Sequence, residues 1–137
     1  VLALDTYAGM PPTDAAIDAH RRGDFADAGL HALRACARAL GLANIDFIKG
    51  AFADTAPGTL RAAGAVRLAH IDCDIHDSVA CAYDATVPFM VPGGYLVFDD
   101  STTSSCLGAT EVVEEIVVRR DGLLSEQIYP HHVFRAP

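Results

Sequence analysis

Five aspartates directly follow apolar runs of the sequence, where a carboxylate can hold a cation or exchange a proton. They are Asp5, Asp72, Asp74, Asp99 and Asp100. A buried strand exposes its last side chains at the carboxyl edge of a parallel sheet, which is where open α/β sheets bind ligands. Asp72 and the Asp99–Asp100 pair end successive runs joined by one crossover. If those strands are neighbours, three carboxylates come within reach of one ion.

The chemistry expected of Asp72, Asp99 and Asp100 is the binding of a hard divalent cation. Mg²⁺ takes oxygen ligands and keeps some of its waters. Without a cation, clustered carboxylates repel and one of them must protonate. The alternative for each residue alone is that it caps the next helix or stays solvated. Asp5 ends an earlier strand, where an acidic residue commonly binds ribose hydroxyls; its alternative is a turn aspartate that initiates Thr6–Gly9.

The elements that must position these aspartates alternate between strands and helices. Apolar runs predict strands at 1–5, 45–49, 66–71 and 95–98, with two final strands at 125–129 and 133–135. Helical periodicity predicts helices at 27–40, 78–89 and 110–120, a short helix at 13–21 and a helical turn at 59–63. Continuous apolar strands separated by helices imply an α/β fold, with a parallel sheet covered by helices on both faces.

Individual residues refine these elements. Asp77 is a candidate N-cap, and one face of the 27–40 helix carries Leu30, Leu33, Ala37 and Leu40. Residues predicted to face the core are Val112, Val113, Ile116 and Val117 of the last helix and Tyr129 and Phe134 of the final strands. His131 and His132 are predicted to be exposed between those strands.

Length and composition describe one acidic domain. The chain has 137 residues, of which 51% are hydrophobic, and 10 Lys+Arg against 18 Asp+Glu give a net charge of −8. Nucleic acids and anionic membranes need a dense cationic surface, so neither is expected as a partner. The longest apolar runs are far shorter than the roughly 20 residues that span a bilayer. Four cysteines without paired spacing predict reduced thiols in a cytoplasmic protein.

The ordered set of motifs resembles the macrocin O-methyltransferase family. The likeness rests on LAHIDCDIHDSVACAYDATVPFMVPGGYLVFDD followed by CLGATEVVEE, on the opening LDTYAGMPP, and on FIKGAFADTAP. It covers the chain from about Leu2 to Phe134. The resemblance implies a Rossmann-like class I methyltransferase that uses S-adenosylmethionine and Mg²⁺ to methylate a small-molecule hydroxyl, in particular on a natural-product sugar. It also implies a homo-oligomer.

Position by position, the resemblance implies roles for several residues. Those matching the family's metal ligands are Asp72, Asp99 and Asp100, with Asp72 also a base near the acceptor hydroxyl. Those matching its cofactor site are Asp5 at the ribose and Gly50, Ala51 and Phe52 at the adenine. His76 stands where the family usually has Tyr; it could stack, offer a nitrogen, or be purely structural. Residues 11–26 lie where the family often places a loop over the acceptor.

The glycine-rich loop expected about 20 residues before Asp5 does not occur in this sequence. In the family, the strand before that loop lies between the strands that match 1–5 and 66–72. We therefore expect a gap in the middle of the sheet, and we interpret residues 1–137 as a single, partial methyltransferase domain lacking the first strand and helix. Such a chain is expected to bind the cofactor poorly.

Two other functions remain open at this level. Asp72-Cys73-Asp74 after an apolar strand fits the D-x-D of haloacid-dehalogenase-like phosphatases, in which the first aspartate is a nucleophile. Against that function, the expected later lysine is missing, since Lys49 is the only lysine. The second alternative is a non-catalytic fragment or interaction module whose aspartates bind nothing.

Overall fold

The computed structural model describes residues 1–27 and 29–137 and has the predicted alternation of strands and helices. In chain order the elements are β1 (Leu2–Asp5), α1 (Leu30–Ala39), β2 (Asp46–Lys49), α2 (Phe52–Ala63), β3 (Val66–Ile71), α3 (His76–Thr86), β4 (Met90–Phe98), α4 (Leu107–Val112), β5 (Ser125–Gln127) and β6 (His132–Arg135). A 3₁₀ turn, Val87–Phe89, follows α3, and α4 continues into a π-helical stretch, Val113–Arg120.

Within the described residues, the strands form two sheets. β1 and β2 pair in parallel, and a four-stranded sheet has the order β3-β4-β6-β5. β3 and β4 are parallel, whereas β6 is antiparallel to both of its neighbours. The predicted parallel pairing is confirmed for β3 and β4, whereas β6 makes the sheet mixed, because the short link after β5 returns the chain directly. The separation of β1 from β3 matches the gap expected from the sequence, and Leu68 on β3 is 62% exposed.

The main core lies between the four-stranded sheet and the helices α3 and α4. β4 alternates, so that Leu96 and Phe98 are buried while Tyr95 and Val97 are only partly covered. The ring of Phe98 lies 5.8 Å from that of Tyr83 on α3 and 5.8 Å from that of Phe134 on β6. The predicted inward face of the last helix is confirmed, with Val112, Val113 and Val117 buried and Ile116 partly buried. This packing fixes the carboxyl ends of β3 and β4 next to each other.

The short helix predicted at 13–21 is wrong. The segment makes one turn, in which the carbonyl of Asp14 accepts the N–H of Asp18 at 2.7 Å and the Asp14 side chain accepts that of Ala16 at 2.9 Å. The turn does not propagate because Asp18 and His20 are held by other parts of the molecule. Asp14, not Thr13 at the start of the predicted helix, supplies the side chain that caps this turn.

Three other helix predictions need correction at their ends. α2 is a full helix over Phe52–Ala63, although Pro57 and Gly58 lower its intrinsic propensity; burial of Ala56 and Leu60 stabilises it. α3 begins at His76, so Asp77 lies inside the helix and is not its N-cap. α1 begins only at Leu30, and its C-cap, Leu40, is exposed instead of facing the core.

Near the end of the chain, Phe134 is fully buried as predicted, whereas Tyr129 is exposed and does not belong to the core. His131 and His132 are partly buried, not exposed. Among the helices described here, none has the length and apolar character needed to cross a membrane.

Candidate active site

The carboxyl ends of β1, β2 and β3 border a cavity of about 520 Å³. Its wall includes Asp5 at the end of β1, Asp72 after β3, and Gly50–Phe52 between β2 and α2. Residues from the segment after β1, among them Met10 and Phe25, complete the lining. The structure thus brings the four residues predicted to hold a cofactor together with Asp72, although they come from three separate parts of the chain.

Asp5 lies in both of the environments predicted for it, a turn and the wall of a ligand cavity. Its Oδ1 accepts the backbone N–H of Tyr7 and a 3.5 Å hydrogen bond from the Thr6 hydroxyl, which makes it the first residue of a turn. The same side chain lines the cavity. A carboxylate has capacity for about four hydrogen bonds, so the turn leaves acceptor capacity for a ligand.

The turn between β2 and α2 requires a glycine. Gly50 has a φ of +151°, and a Cβ there would lie 2.6 Å from the Cγ2 of Thr55. Its N–H donates to the carbonyl of Asp5 at 3.0 Å, which ties the ends of β1 and β2 together. Ala51 is the N-cap of α2 and Phe52 its first residue. The backbone therefore brings this turn and Asp5 to the same wall of the cavity.

Three carboxylates converge beside the cavity, and we call them the acidic cluster: Asp72, Asp99 and Asp100. One oxygen from each lies within 4.8 Å of the others. Burial, followed by the negative charges of Asp74 and Asp72, raises the pKa of Asp100 to about 6. An all-oxygen set of three neighbouring carboxylates fits a hard divalent cation such as Mg²⁺.

Two histidines for which the sequence predicted no role at the site hold Asp99. His70 Nε2 and His131 Nδ1 each lie 3.1 Å from the same atom, Asp99 Oδ1. His131 Nδ1 also lies 3.1 Å from the Asp99 carbonyl. A signal for His70 existed, since residues two apart on a strand point to the same face and His70 precedes Asp72 by two. No comparable signal pointed to His131, because its contact depends on the return of the final strand.

A second group of side chains lies on the other side of the β3–α3 turn, and we call it the mixed cluster: His20, Asp74 and Cys106. Its three ligand-type atoms, one from each residue, lie within 4.8 Å of one another. Asp74 has a positive φ of 57°, and its N–H donates to Asp100 Oδ2 at 3.2 Å. Burial raises the pKa of Asp74, an effect opposed by His20. The sequence predicted Cys106 only as a reduced thiol, and the structure has it as a buried free thiol.

His76 lies at the start of α3 and does not line the cavity. Its backbone N–H donates to Asp18 Oδ1 at 2.9 Å, so the buried Asp18 supplies the cap that the helix's own N-cap, Ile75, cannot. Its Nδ1 lies 2.9 Å from Asp77 Oδ1. A Cβ on Gly108 of α4 would lie 2.8 Å from the backbone nitrogen of His76, so the glycine permits α4 to pack closely against the start of α3.

Two solved structures share this architecture over nearly the whole chain. The structure of the O-methyltransferase NovP matches with a TM-score of 0.84 at 21% identity, covering 98% of this chain and 58% of that one. The crystal structure of CalS11, a calicheamicin methyltransferase, matches with a TM-score of 0.78 at 17% identity, covering 98% of this chain and 59% of that one. The fold is therefore the α/β fold of class I methyltransferases.

The model of the macrocin O-methyltransferase family (TylF) matches residues 1–118, and the chain belongs to this family. A relative from Streptomyces olivaceus, 8-demethyl-8-(2,3-dimethoxy-alpha-L-rhamnosyl)-tetracenomycin-C 4'-O-methyltransferase, is 29% identical over 118 residues. That alignment covers 80% of this chain and 44% of the relative. The chain thus spans less than half the length of this curated relative.

Proposed function

We propose that the chain is part of an S-adenosylmethionine-dependent O-methyltransferase that acts on a hydroxyl of a small molecule, specifically a sugar of a natural product. The observation that carries the proposal is one cavity bordered by both the predicted cofactor residues and Asp72 of the acidic cluster. Family membership supports methyl transfer. The name of the Streptomyces olivaceus relative, which specifies a rhamnosyl substrate, supports the sugar.

We also propose that residues 1–137 are one part of a single methyltransferase domain. The support is the short coverage of the relatives and the separation of β1 from β3. A further parallel strand with a glycine-rich loop fits that separation and would complete the cofactor site. Tests of its activity therefore require the protein as it occurs in the cell.

In this proposal, Asp5 binds the cofactor ribose and Gly50–Phe52 line the adenine site. The cofactor supplies an activated methyl group when bound, and Mg²⁺ supplies charge that lowers the pKa of a nearby hydroxyl. Asp72, Asp99 and Asp100 would hold the cation, because their oxygens lie close enough together to share it. Asp72, which also lines the cavity, accepts the proton of the acceptor hydroxyl.

The decisive experiment measures methyl transfer to a panel of glycosylated natural products, with Mg²⁺ and with EDTA. We expect EDTA and Asp99→Asn each to abolish turnover, while calorimetry still detects binding of S-adenosylhomocysteine. Asp46→Asn is the matched control, since this exposed aspartate begins β2 at the opposite end from the cavity. Equal turnover with EDTA and with Mg²⁺ would refute the role of the cation.

Calorimetry also tests the non-catalytic alternative, which predicts no binding of S-adenosylhomocysteine or Mg²⁺. Nothing in the comparisons favours the phosphatase alternative built on Asp72 and Asp74. We further propose a cytoplasmic location, because Cys36, Cys73, Cys81 and Cys106 are all free thiols. The homo-oligomer implied by the family resemblance stays a prediction, which light scattering tests.

A further inference from the structure

The mixed cluster combines three kinds of donor from three distant segments. His20 belongs to the segment that follows β1, Asp74 to the β3–α3 turn, and Cys106 to the N-cap of α4. Cys106 Sγ lies 3.5 Å from His20 Nε2 and 3.7 Å from Asp74 Oδ1, and His20 Nε2 lies 3.9 Å from the same Asp74 oxygen. Each residue therefore directs one atom toward a common centre.

The spacing of these atoms is close to that of a tetrahedral metal site. Zinc binds sulfur at about 2.3 Å and nitrogen or oxygen at about 2.0–2.2 Å, so that tetrahedral ligand atoms lie roughly 3.3–3.6 Å apart. The 3.5 Å separation already lies in this range and the 3.7 Å separation lies just outside it, whereas the 3.9 Å between His20 Nε2 and Asp74 Oδ1 must contract by about 0.5 Å. Three protein ligands leave a fourth position for water.

Neighbouring residues are placed to support two of the three ligands, His20 and Asp74. A metal-bound histidine generally offers its other ring nitrogen to a carboxylate or carbonyl. The second nitrogen of His20, Nδ1, lies 3.9 Å from Asp24 Oδ2, so a hydrogen bond between them would need a small movement of the ring, and the ring of Phe25 packs 5.2 Å from the imidazole. The backbone N–H of Asp74 donates to Asp100, which fixes the turn that presents its carboxylate.

We propose that His20, Asp74 and Cys106 form a second metal site, selective for Zn²⁺ and separate from the acidic cluster. Thiolate and imidazole ligands favour zinc over magnesium, whereas an all-carboxylate set favours magnesium. The ion fastens the segment that carries His20 to the β3–α3 turn and α4. Because Met10 and Phe25 of that segment line the cavity, zinc holds one wall of the cavity in place.

The test uses metal-free protein dialysed against buffered Zn²⁺, desalted and analysed for bound metal. We expect about one Zn²⁺ per chain to be retained, and Co²⁺ in its place to give a thiolate-to-metal absorption band. Cys106→Ser and His20→Gln should each remove the band and weaken zinc binding by more than the roughly 10–100-fold that follows loss of a supporting residue. Asp99→Asn should keep both signals, since Asp99 belongs to the acidic cluster.

Matched controls are Cys36→Ser and His31→Gln, because both residues are exposed on α1. Both variants should retain zinc and the cobalt band. Circular dichroism checks folding, and His20→Gln gives an independent answer if Cys106→Ser is unstable. Wild-type protein that retains no zinc, or variants of Cys106 or His20 that retain it as the wild type does, would overturn the proposal and leave the cluster as a hydrogen-bond network.

Discussion

The acidic cluster and the mixed cluster diverge from the same short turn, yet they offer different chemistry. Asp72 and Asp74 are separated only by Cys73, but Asp72 joins two other carboxylates whereas Asp74 joins an imidazole and a thiol. The positive φ of Asp74 turns its side chain away from the direction a continuing strand would give. Sequence spacing therefore does not determine which ion each aspartate is suited to bind. The residues that the fold places beside each aspartate determine it.

The largest expected effect comes from replacing Asp72 or Asp74 by asparagine, one at a time. Asp72→Asn should lower methyl transfer by about 10²–10⁴-fold, the range typical for loss of a general base, and should lower Mg²⁺ affinity as well. Asp74→Asn should leave Mg²⁺ affinity nearly unchanged and abolish zinc retention. The asparagine at 74 also tolerates the positive φ, so folding is preserved.

Methyl-transfer turnover, Mg²⁺ affinity and retained zinc are measured for each of the two variants. Two variants with the same loss of magnesium and of zinc would show that the clusters are a single site. That result would mean that Asp72 and Asp74 have no separate roles. It would also contradict the assignment of Asp72 as the base.

The sequence identified the acidic cluster because each member ends an apolar strand, and parallel strands align their carboxyl ends. The same reasoning brought Asp5 to that edge of the molecule, whereas Gly50–Phe52 were assigned through the family resemblance. It could not identify His20 or Asp18, whose partners lie 86 and 58 residues away. Their segment has no strong periodicity, and its weak helical pattern yields to side-chain contacts made elsewhere.

A smaller effect concerns His70 and His131, the two histidines that hold Asp99, for which the sequence predicted no functional role. Replacing His131 by alanine should weaken Mg²⁺ binding by about 10–100-fold, because a residue that orients a metal ligand typically contributes that much. His70→Ala should act in the same direction, since both rings contact the same oxygen. Zinc retention should not change in either variant.

Titration with Mg²⁺ followed by calorimetry measures this effect, and His31→Ala on exposed α1 serves as the control. If Mg²⁺ affinity is unchanged in His131→Ala and in His70→Ala, the two histidines are ordinary surface contacts. If zinc is lost as well, the clusters are coupled through the β3–α3 turn and are not independent.

The smallest effect compares two aspartates at the start of α3. Asp18→Ala should lower the free energy of unfolding by about 1–2 kcal/mol, because it removes the only side-chain cap described for that helix and leaves a partly buried N–H without its acceptor. Asp77→Ala should cost less, since the Asp77 side chain is 90% exposed and contributes mainly through the helix dipole. Urea denaturation measures both.

The variant that loses more stability shows which residue caps α3: Asp18, which is distant in sequence, or the neighbouring Asp77. A larger loss in Asp77→Ala would support the sequence-based choice of N-cap and would mean that the segment carrying Asp18 is not held against α3 in solution. In that case His20, only two residues along the same segment, would lose the anchor that keeps it beside Asp74 and Cys106. The order of these two stabilities therefore bears on the mixed cluster without any metal being added.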